Sequence, residues 1–276
     1  MHQPSCLLIR LSAMHQVHVL RSRRLSIGIY GDFGASNLCT KQLRNCIQNT
    51  FPDATISILS AKESLNSLLT NTIDLFCVGG GFARGVAKTM GTVGLKELKK
   101  FILSGGAYLG ICSGAYLASA LTRFDIGGPN EIFDEGFLNF FPGTAEGPLF
   151  APYEYDSELG SSAALLTASV SDNIGLPSSV SVYFNGGCHF LGSSDSQTTV
   201  LYKYGELNTP AILLRNCGQG KVLLSGAHFE FDPTNLPELN GDPYTEKILP
   251  ILLQHNANRV KLYKSLLRNI VSPVIH

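Results

Sequence analysis

Three stretches of this sequence carry residues that could do covalent chemistry: a cysteine between two glycines, a histidine two residues ahead of a glutamate, and a run of three glycines. Cys112 stands in Gly110-Ile111-Cys112-Ser113-Gly114, after an apolar run (Tyr108, Leu109, Ile111) and before helix-compatible residues (Ala115, Leu117, Ala118, Ala120). That order predicts a strand turning sharply into a helix with the thiol at the corner. The flanking glycines allow the close backbone approach that such an elbow needs, the logic of G-x-S-x-G with sulfur in place of oxygen. A thiol at a helix N-terminus faces unpaired N–H groups and the positive end of the helix dipole, and both favour the thiolate. Cys112 is therefore the candidate nucleophile, and the N–H of Ser113 the first candidate oxyanion donor. The competing reading is a buried cysteine in an ordinary glycine-flanked turn.

Ser225-Gly226-Ala227-His228-Phe229-Glu230 closes the last expected strand. In extended backbone His228 and Glu230 point the same way, the relation that a base and its orienting carboxylate need, and both can reach the rim that holds Cys112. Alone, H-x-E is a weak signal; downstream of a cysteine elbow it becomes the second half of one arrangement. Gly79-Gly80-Gly81 fails as a dinucleotide loop, because Arg84 stands where the third glycine of G-x-G-x-x-G belongs. At the carboxyl edge of a sheet, N–H groups of Gly80 or Gly81 could complete an oxyanion hole; the alternative is a plain glycine-rich turn. In Tyr183-Phe184-Asn185-Gly186-Gly187-Cys188-His189-Phe190, Cys188 and His189 are strand neighbours that face opposite ways, which speaks against a metal pair. No metal site is expected.

The elements that must position these residues begin at Leu25. Leu25–Tyr30, Thr55–Leu59, Ile73–Val78 and the Cys112 strand alternate with helical patterns over Asn37–Asn49, Lys62–Leu69, Leu95–Leu103 and the residues after the elbow. Four strand–helix units in succession predict an α/β fold with a mostly parallel central sheet and helices on both faces. From Thr122 to Gly160 the rhythm stops in a segment dense in Gly, Pro and Phe, read as a functional loop or lid unless it merely packs on its own aromatics. Short strands follow at Leu165–Val170, Val180–Phe184, Thr199–Tyr204, Ala211–Leu214 and Lys221–Leu224, which suggests antiparallel hairpins extending the sheet. Tyr244–Gln254 and Val260–Ile270 read as two amphipathic helices.

Of 276 residues only 15% are charged, with 21 basic against 21 acidic side chains, so no global field attracts nucleic acid or a membrane surface. Nothing approaches eighteen uninterrupted apolar residues, and no membrane span is expected. Seven cysteines, an odd number without CxxC pairs, point to a reducing compartment, the cytoplasm being the first expectation. Cys39 and Cys46 read as one buried helix face, Cys77 as core. Residues 1–24 hold Arg10, Arg21, Arg23 and Arg24 and no acid, as a mitochondrial-type presequence would or a disordered extension. A single domain over 25–276 is expected after it.

The elbow, the glycine run one strand earlier and the late His-x-Glu together resemble the class I glutamine amidotransferase-like fold, a flavodoxin-like architecture. More narrowly, GGG at Gly79, GICSGAYLAS at Gly110, YFNGGCHF at Tyr183 and SGAHFE at Ser225 resemble the amidotransferase-like domain at the N-terminus of eukaryotic biotin-protein ligases and its stand-alone relatives, over roughly Leu25 to Gln254. The resemblance implies Cys112 as nucleophile, His228 as general base and then acid, and Glu230 as the group that orients the imidazole. Tyr116, Asn185 and Gly186 are the candidate substrate-binding residues. Two departures bear on the substrate: glutaminase domains of this superfamily usually carry Gln two residues after the second elbow glycine, where Ala115-Tyr116 stand here, and commonly Pro where Phe229 stands. Glutamine is thereby put in doubt. Biotin ligation is not expected of this sequence, which has no GRGR-type loop and no tryptophan.

Two functions follow as expectations. One is a cysteine hydrolase or transferase acting on a small amide or acyl substrate without a cofactor. The other is a non-catalytic metabolite-binding or regulatory domain that retains the triad, with a partner protein or a second copy of the chain as its interactor.

Overall fold

A computed structural model describes residues 24–150, 152–155, 157–169, 175–192, 195–235 and 242–271. The expected N-terminal extension, Arg24 excepted, and Val170 at the end of one expected strand lie outside the described residues. The first half alternates β1 (Ser26–Tyr30), α1 (Asn37–Thr50), β2 (Thr55–Leu59), α2 (Ala61–Leu69), β3 (Leu75–Val78), α3 (Ala83–Leu103), β4 (Ala107–Ile111) and α4 (Ser113–Ala118). Local chemistry starts the helices where the pattern implies. The Ser36 hydroxyl accepts from the Cys39 N–H at the head of α1, and Ser60 with Glu63 forms a capping box on α2.

The remaining strands are β5 (Ser119–Phe124), β6 (Ile132–Glu135), β7 (Phe141–Gly147), β8 (Ser162–Ala168), β9 (Ser179–Phe184), β10 (His189–Leu191), β11 (Thr198–Tyr204), β12 (Pro210–Cys217) and β13 (Gly220–Ser225), and α5 (Pro243–Val271) follows. Nine strands form one sheet in the order β2-β1-β3-β4-β13-β12-β11-β8-β9. The first five are mutually parallel and the last four join antiparallel. This is the parallel sheet with an antiparallel extension that the rhythm predicts, with one refinement. The Lys221–Leu224 strand, read as part of a hairpin, is also the fifth parallel strand and lies beside the cysteine strand, Leu223 opposite Leu109.

Both faces of the sheet are covered. Ile27, Ile29, Leu109 and Ile111 pack with Leu43 and Ile47 of α1 and Leu262 and Leu266 of α5, while Tyr30, Phe76 and Tyr108 pack with Val86 and Leu98 of α3 and Ala115 of α4. β3 and β4 are buried along their whole length. That is why they read as continuous apolar runs rather than alternating ones.

Three expectations are corrected. Thr122–Gly160 is not one continuous loop: it supplies the end of β5, all of β6 and all of β7 to a second sheet, ordered β10-β7-β5-β6, and Phe124, Phe140 and Phe141 are buried in the core on the α3 side. Its Pro142-Gly143 falls where the pairing of β5 with β7 shifts register, a position that tolerates proline. The helix expected at Leu95 starts at Ala83 and is kinked at Gly91, where φ is 62°. Its glycines dilute the local signal, and burial of Val86, Ala87 and Met90 supplies what propensity lacks. The two C-terminal helices are one, Pro243–Val271. The polar run His255–Asn258 looks like a break, but Asn258 donates to the Ser179 carbonyl and Asn256 accepts from Arg259. Among the described residues, no helix is long and apolar enough to cross a membrane.

Candidate active site

Cys112 is where β4 ends and α4 begins, and its backbone is strained: φ is 50° and ψ is −104°. Of the five non-glycine residues with positive φ among the described residues, the other four are Asn or Asp, which tolerate that region; cysteine does not. Holding it costs of order 1–3 kcal/mol. The surroundings enforce it. The Cys112 N–H donates to Ser225 O at 2.8 Å, and the Cys112 carbonyl accepts from Ala115 and Tyr116 N–H at 2.9 and 3.1 Å. A Cβ at Gly110 would sit 2.6 Å from the Gly114 carbonyl oxygen, and one at Gly114 would sit 2.2 Å from Val78 O. The flanking glycines are thus required by backbone packing against backbone. The helix that follows has only six residues and passes directly into β5, so it is shorter than the sequence pattern implies.

His228 and Glu230 leave the carboxyl end of β13, the strand beside β4. The interlocking of two glycines brings the segment there: a Cβ at Gly226 would sit 1.7 Å from Cys188 O and one at Gly187 1.8 Å from Gly226 O. The SGAHFE and NGGCHF stretches can therefore pack only as they are. His228 N–H donates to Tyr183 O at 2.8 Å, and the Arg259 guanidinium, itself buried, donates to Phe229 O at 3.1 Å between the two side chains. His228 Nδ1 lies 2.7 Å from Glu230 Oε1, with the residues 3% and 1% exposed. A carboxylate only accepts, so Nδ1 carries the proton and Nε2 is left for Cys112. Burial works against a charged imidazole here, but the Glu230 carboxylate and the hydrogen bond with Cys112 outweigh it and hold the His228 pKa well above its ordinary value.

The loops that follow β1, β3, β4 and β13 surround a cleft of 770 Å³ that Cys112, His228, Asn185, Gly80 and Gly81 line. Carboxyl ends of parallel strands on either side of a reversal in strand order are where open α/β sheets bind ligands. The Cys112 sulfur is 4.0 Å from Asn185 O. Gly80 lies against the imidazole: a Cβ there would come within 2.7 Å of His228 Cε1. Gly79 O accepts from both the Ser113 hydroxyl and the Gly114 N–H, at 2.7 and 3.2 Å, which ties the glycine run to the elbow. Among the described residues, the N–H groups of Gly80, Gly81 and Ser113 have no backbone acceptor. A niche of 40 Å³ adjoins the cleft at Cys112, walled by Ser113, Tyr116, Gly186 and the aromatic rings of Phe124, Tyr153 and Tyr155. That is room for about one water-sized group. Arg84 and Asp134 at its wall are joined by two 2.7 Å hydrogen bonds.

All nine residues singled out in the sequence thus fall at one place, though not in one role. Tyr116 is 5% exposed and donates to Gly186 O at 3.3 Å, so it forms wall rather than an open contact surface. Cys39, read as helix face, also borders the cleft and touches Gly80; burial pushes its thiol up to about 11. Glu158 and Tyr183, to which the sequence assigns no site role, also line the cleft. The tyrosine hydroxyl donates to Glu158 Oε2, and burial raises that carboxyl's pKa. No sequence motif marks Glu158; Tyr183 stands two residues before Asn185, on the same side of the extended chain, which is a signal that could have found it.

The fold and site define a class: α/β proteins with a cysteine elbow at the carboxyl edge of a mainly parallel sheet. Within it, residues 25–274 match the family described as biotin-protein ligase, N terminal, and the chain belongs to that family. It is 29% identical over 222 residues to the biotin–protein ligase of Schizosaccharomyces pombe, covering 78% of this chain and 35% of the yeast protein, about a third of its length. It is 32% identical over 215 residues to an uncharacterized protein of Chlamydia muridarum, covering 76% of this chain and 81% of that one. A cytoplasmic protein of Salmonella typhimurium LT2 is similar in structure, with a TM-score of 0.51, 11% identity, and coverage of 89% of this chain and 98% of that one. That likeness concerns the fold alone.

Proposed function

We propose that the protein is a cysteine hydrolase or acyltransferase of the amidotransferase-like type acting on a small amide or acyl substrate. One observation carries this reading: a strained cysteine opens onto a 770 Å³ cleft beside a histidine whose other nitrogen is 2.7 Å from a buried carboxylate. Sulfur attacks the carbonyl carbon as a thiolate stabilised by the His228 imidazolium, whose Nε2 already carries the proton given up by the thiol, and the developing oxyanion meets the N–H groups of Ser113 and Gly80 or Gly81. The imidazolium then protonates the leaving amine as the C–N bond breaks, and a thioester remains for water or an acceptor amine to take. Glu230 holds the ring and balances its charge. A free nucleophilic thiol suits a reducing compartment, the cytoplasm first.

Site-resolved alkylation by iodoacetamide tests this. Cys112 is expected to react at least about tenfold faster than Cys39, which borders the same cleft, and Cys112→Ala to abolish the fast phase. Equal rates at the two thiols would remove the catalytic reading. One observation favours a second reading, a domain that binds a metabolite without turning it over. Tyr116 stands two residues after Gly114, at the position where glutaminase domains carry the Gln that helps hold the substrate amide, and it is sealed into the wall. Slow Cys112 alkylation together with saturable protection by a small ligand would support it.

A further inference from the structure

We propose that the cleft selects a substrate that carries a protonated amino group and no carboxylate, the cation being received by Glu158 and the side-chain oxygen of Asn185. This deepens the proposed function and rests on Cys112 as the nucleophile. Among the described residues that line the cleft there are three acids, Asp32, Glu154 and Glu158, and neither lysine nor arginine. Arg84, in the wall of the adjoining niche, has its guanidinium closed by both oxygens of Asp134.

Beside the backbone N–H donors of the elbow and the glycine run, the cleft presents side-chain acceptors. Asn185, whose backbone oxygen lies by the Cys112 sulfur, donates from Nδ2 to Ser157 O at 3.0 Å. A backbone carbonyl only accepts, so the amide is fixed with its NH2 toward Ser157. Its Oδ1 is then buried, and among the described residues it has no partner. An acceptor left this way calls for an N–H from something outside the protein. Glu158 stands beside it and accepts from the Tyr183 hydroxyl; burial raises its carboxyl more than Tyr183, His228 and Asn185 lower it. Asp32 adds field at the far side of the cleft, its oxygens accepting from the N–H groups of Phe33 and Ala61 at 2.7 and 3.0 Å.

A zwitterionic amino-acid amide fits poorly, because its carboxylate would face these acids with no lysine or arginine among the described lining residues to meet it. An amide or ester of an amine-bearing acid without a carboxylate fits, as does an acyl group linked to a diamine. The cationic side chain in the lining, His228, is met by the buried Glu230 carboxylate 2.7 Å away, so the three acids set the field; acids lining a cleft raise the local concentration of cations by about ten- to a thousandfold.

Three chloroacetamides of matched reactivity test this on the wild-type chain: N-(2-aminoethyl)chloroacetamide (cationic), N-propylchloroacetamide (neutral) and N-chloroacetylglycine (anionic). In each, the Cys112 sulfur forms a C–S bond, the C–Cl bond breaks, chloride leaves and the proton given up by the thiol stays on His228. The cationic probe is expected to alkylate Cys112 about tenfold or more faster than the anionic one, the ratio falling with added salt. Glu158→Gln should compress that ratio, with Glu154→Gln as the companion variant should the first fail to fold. Fast alkylation by the neutral probe with no ranking by charge, or with the anion fastest, would overturn this inference and leave the nucleophile standing. Slow alkylation of Cys112 by all three would overturn both.

Discussion

Replacing Glu230 by Gln tests the arrangement at its most buried point. The variant keeps the shape and an oxygen that can accept from Nδ1–H, but it removes the charge 2.7 Å from a histidine that is 3% exposed. Of the influences on His228, burial lowers its pKa, whereas Glu230 and Cys112 raise it, and the net effect is a value well above the ordinary one. Without the carboxylate the burial contribution stays and the largest opposing one is gone. The titration of His228, followed by NMR of its ring C–H, must therefore move to lower pH. Each unit of that movement is about 1.4 kcal/mol of lost preference for the imidazolium. The sign for stability follows. A raised folded-state pKa contributes stability that is fully present below the unfolded value, about 6.5, and is lost as pH rises through the folded pKa. Wild-type unfolding free energy should fall from pH 6 upward relative to the variant, whose own loss at pH 6 is about 1–3 kcal/mol for the weakened buried bond. Cys112 alkylation should slow by about 10²–10⁴-fold, the usual range for losing an oriented base. A His228 midpoint that stays put or rises in Glu230→Gln would refute the reasoning.

Other consequences follow from the same geometry. Gly114→Ala places a methyl 2.2 Å from Val78 O, where only backbone can yield, so a loss of about 1–3 kcal/mol in denaturant unfolding is expected together with loss of fast Cys112 alkylation. Because the elbow conformation is strained for any side chain, Cys112→Gly should be more stable than Cys112→Ala by about 1–2 kcal/mol; the reverse order in thermal or urea unfolding would contradict the strain. Arg259→Met removes the donor on Phe229 O but no group of the cleft, so Arg259 is a positioning residue. The variant is expected to lose fast alkylation at Cys112 and to shift the His228 titration, while Arg259→Lys restores part of both; a change in stability alone would reduce Arg259 to packing.

The parallel half of the fold was legible because it is written locally. Strands buried on both faces must be apolar throughout, and Gly110 and Gly114 stand where any Cβ would strike backbone. The sequence pairs His228 with Glu230 on the premise of extended chain, but β13 ends at Ser225 and Phe229-Glu230 lie in a turn that the Phe231 N–H closes onto His228 O, so the two side chains meet by turn geometry instead. What depends on partners far along the chain was not legible. The second sheet was hidden because Pro142-Gly143 reads as a loop until β5 is laid beside it with a register shift. The single C-terminal helix was hidden because its polar middle is satisfied by Ser179 and Phe229, distant in sequence. Cys39 and Glu158 joined the cleft only through packing that no spacing encodes. By itself, then, the sequence determined which residues can make a strand, an elbow and an oriented imidazole. Only the tertiary structure decided what stands opposite them and with what charge, since a cleft is made of surfaces from separate loops whose meeting is settled by the burial of the sheet beneath them.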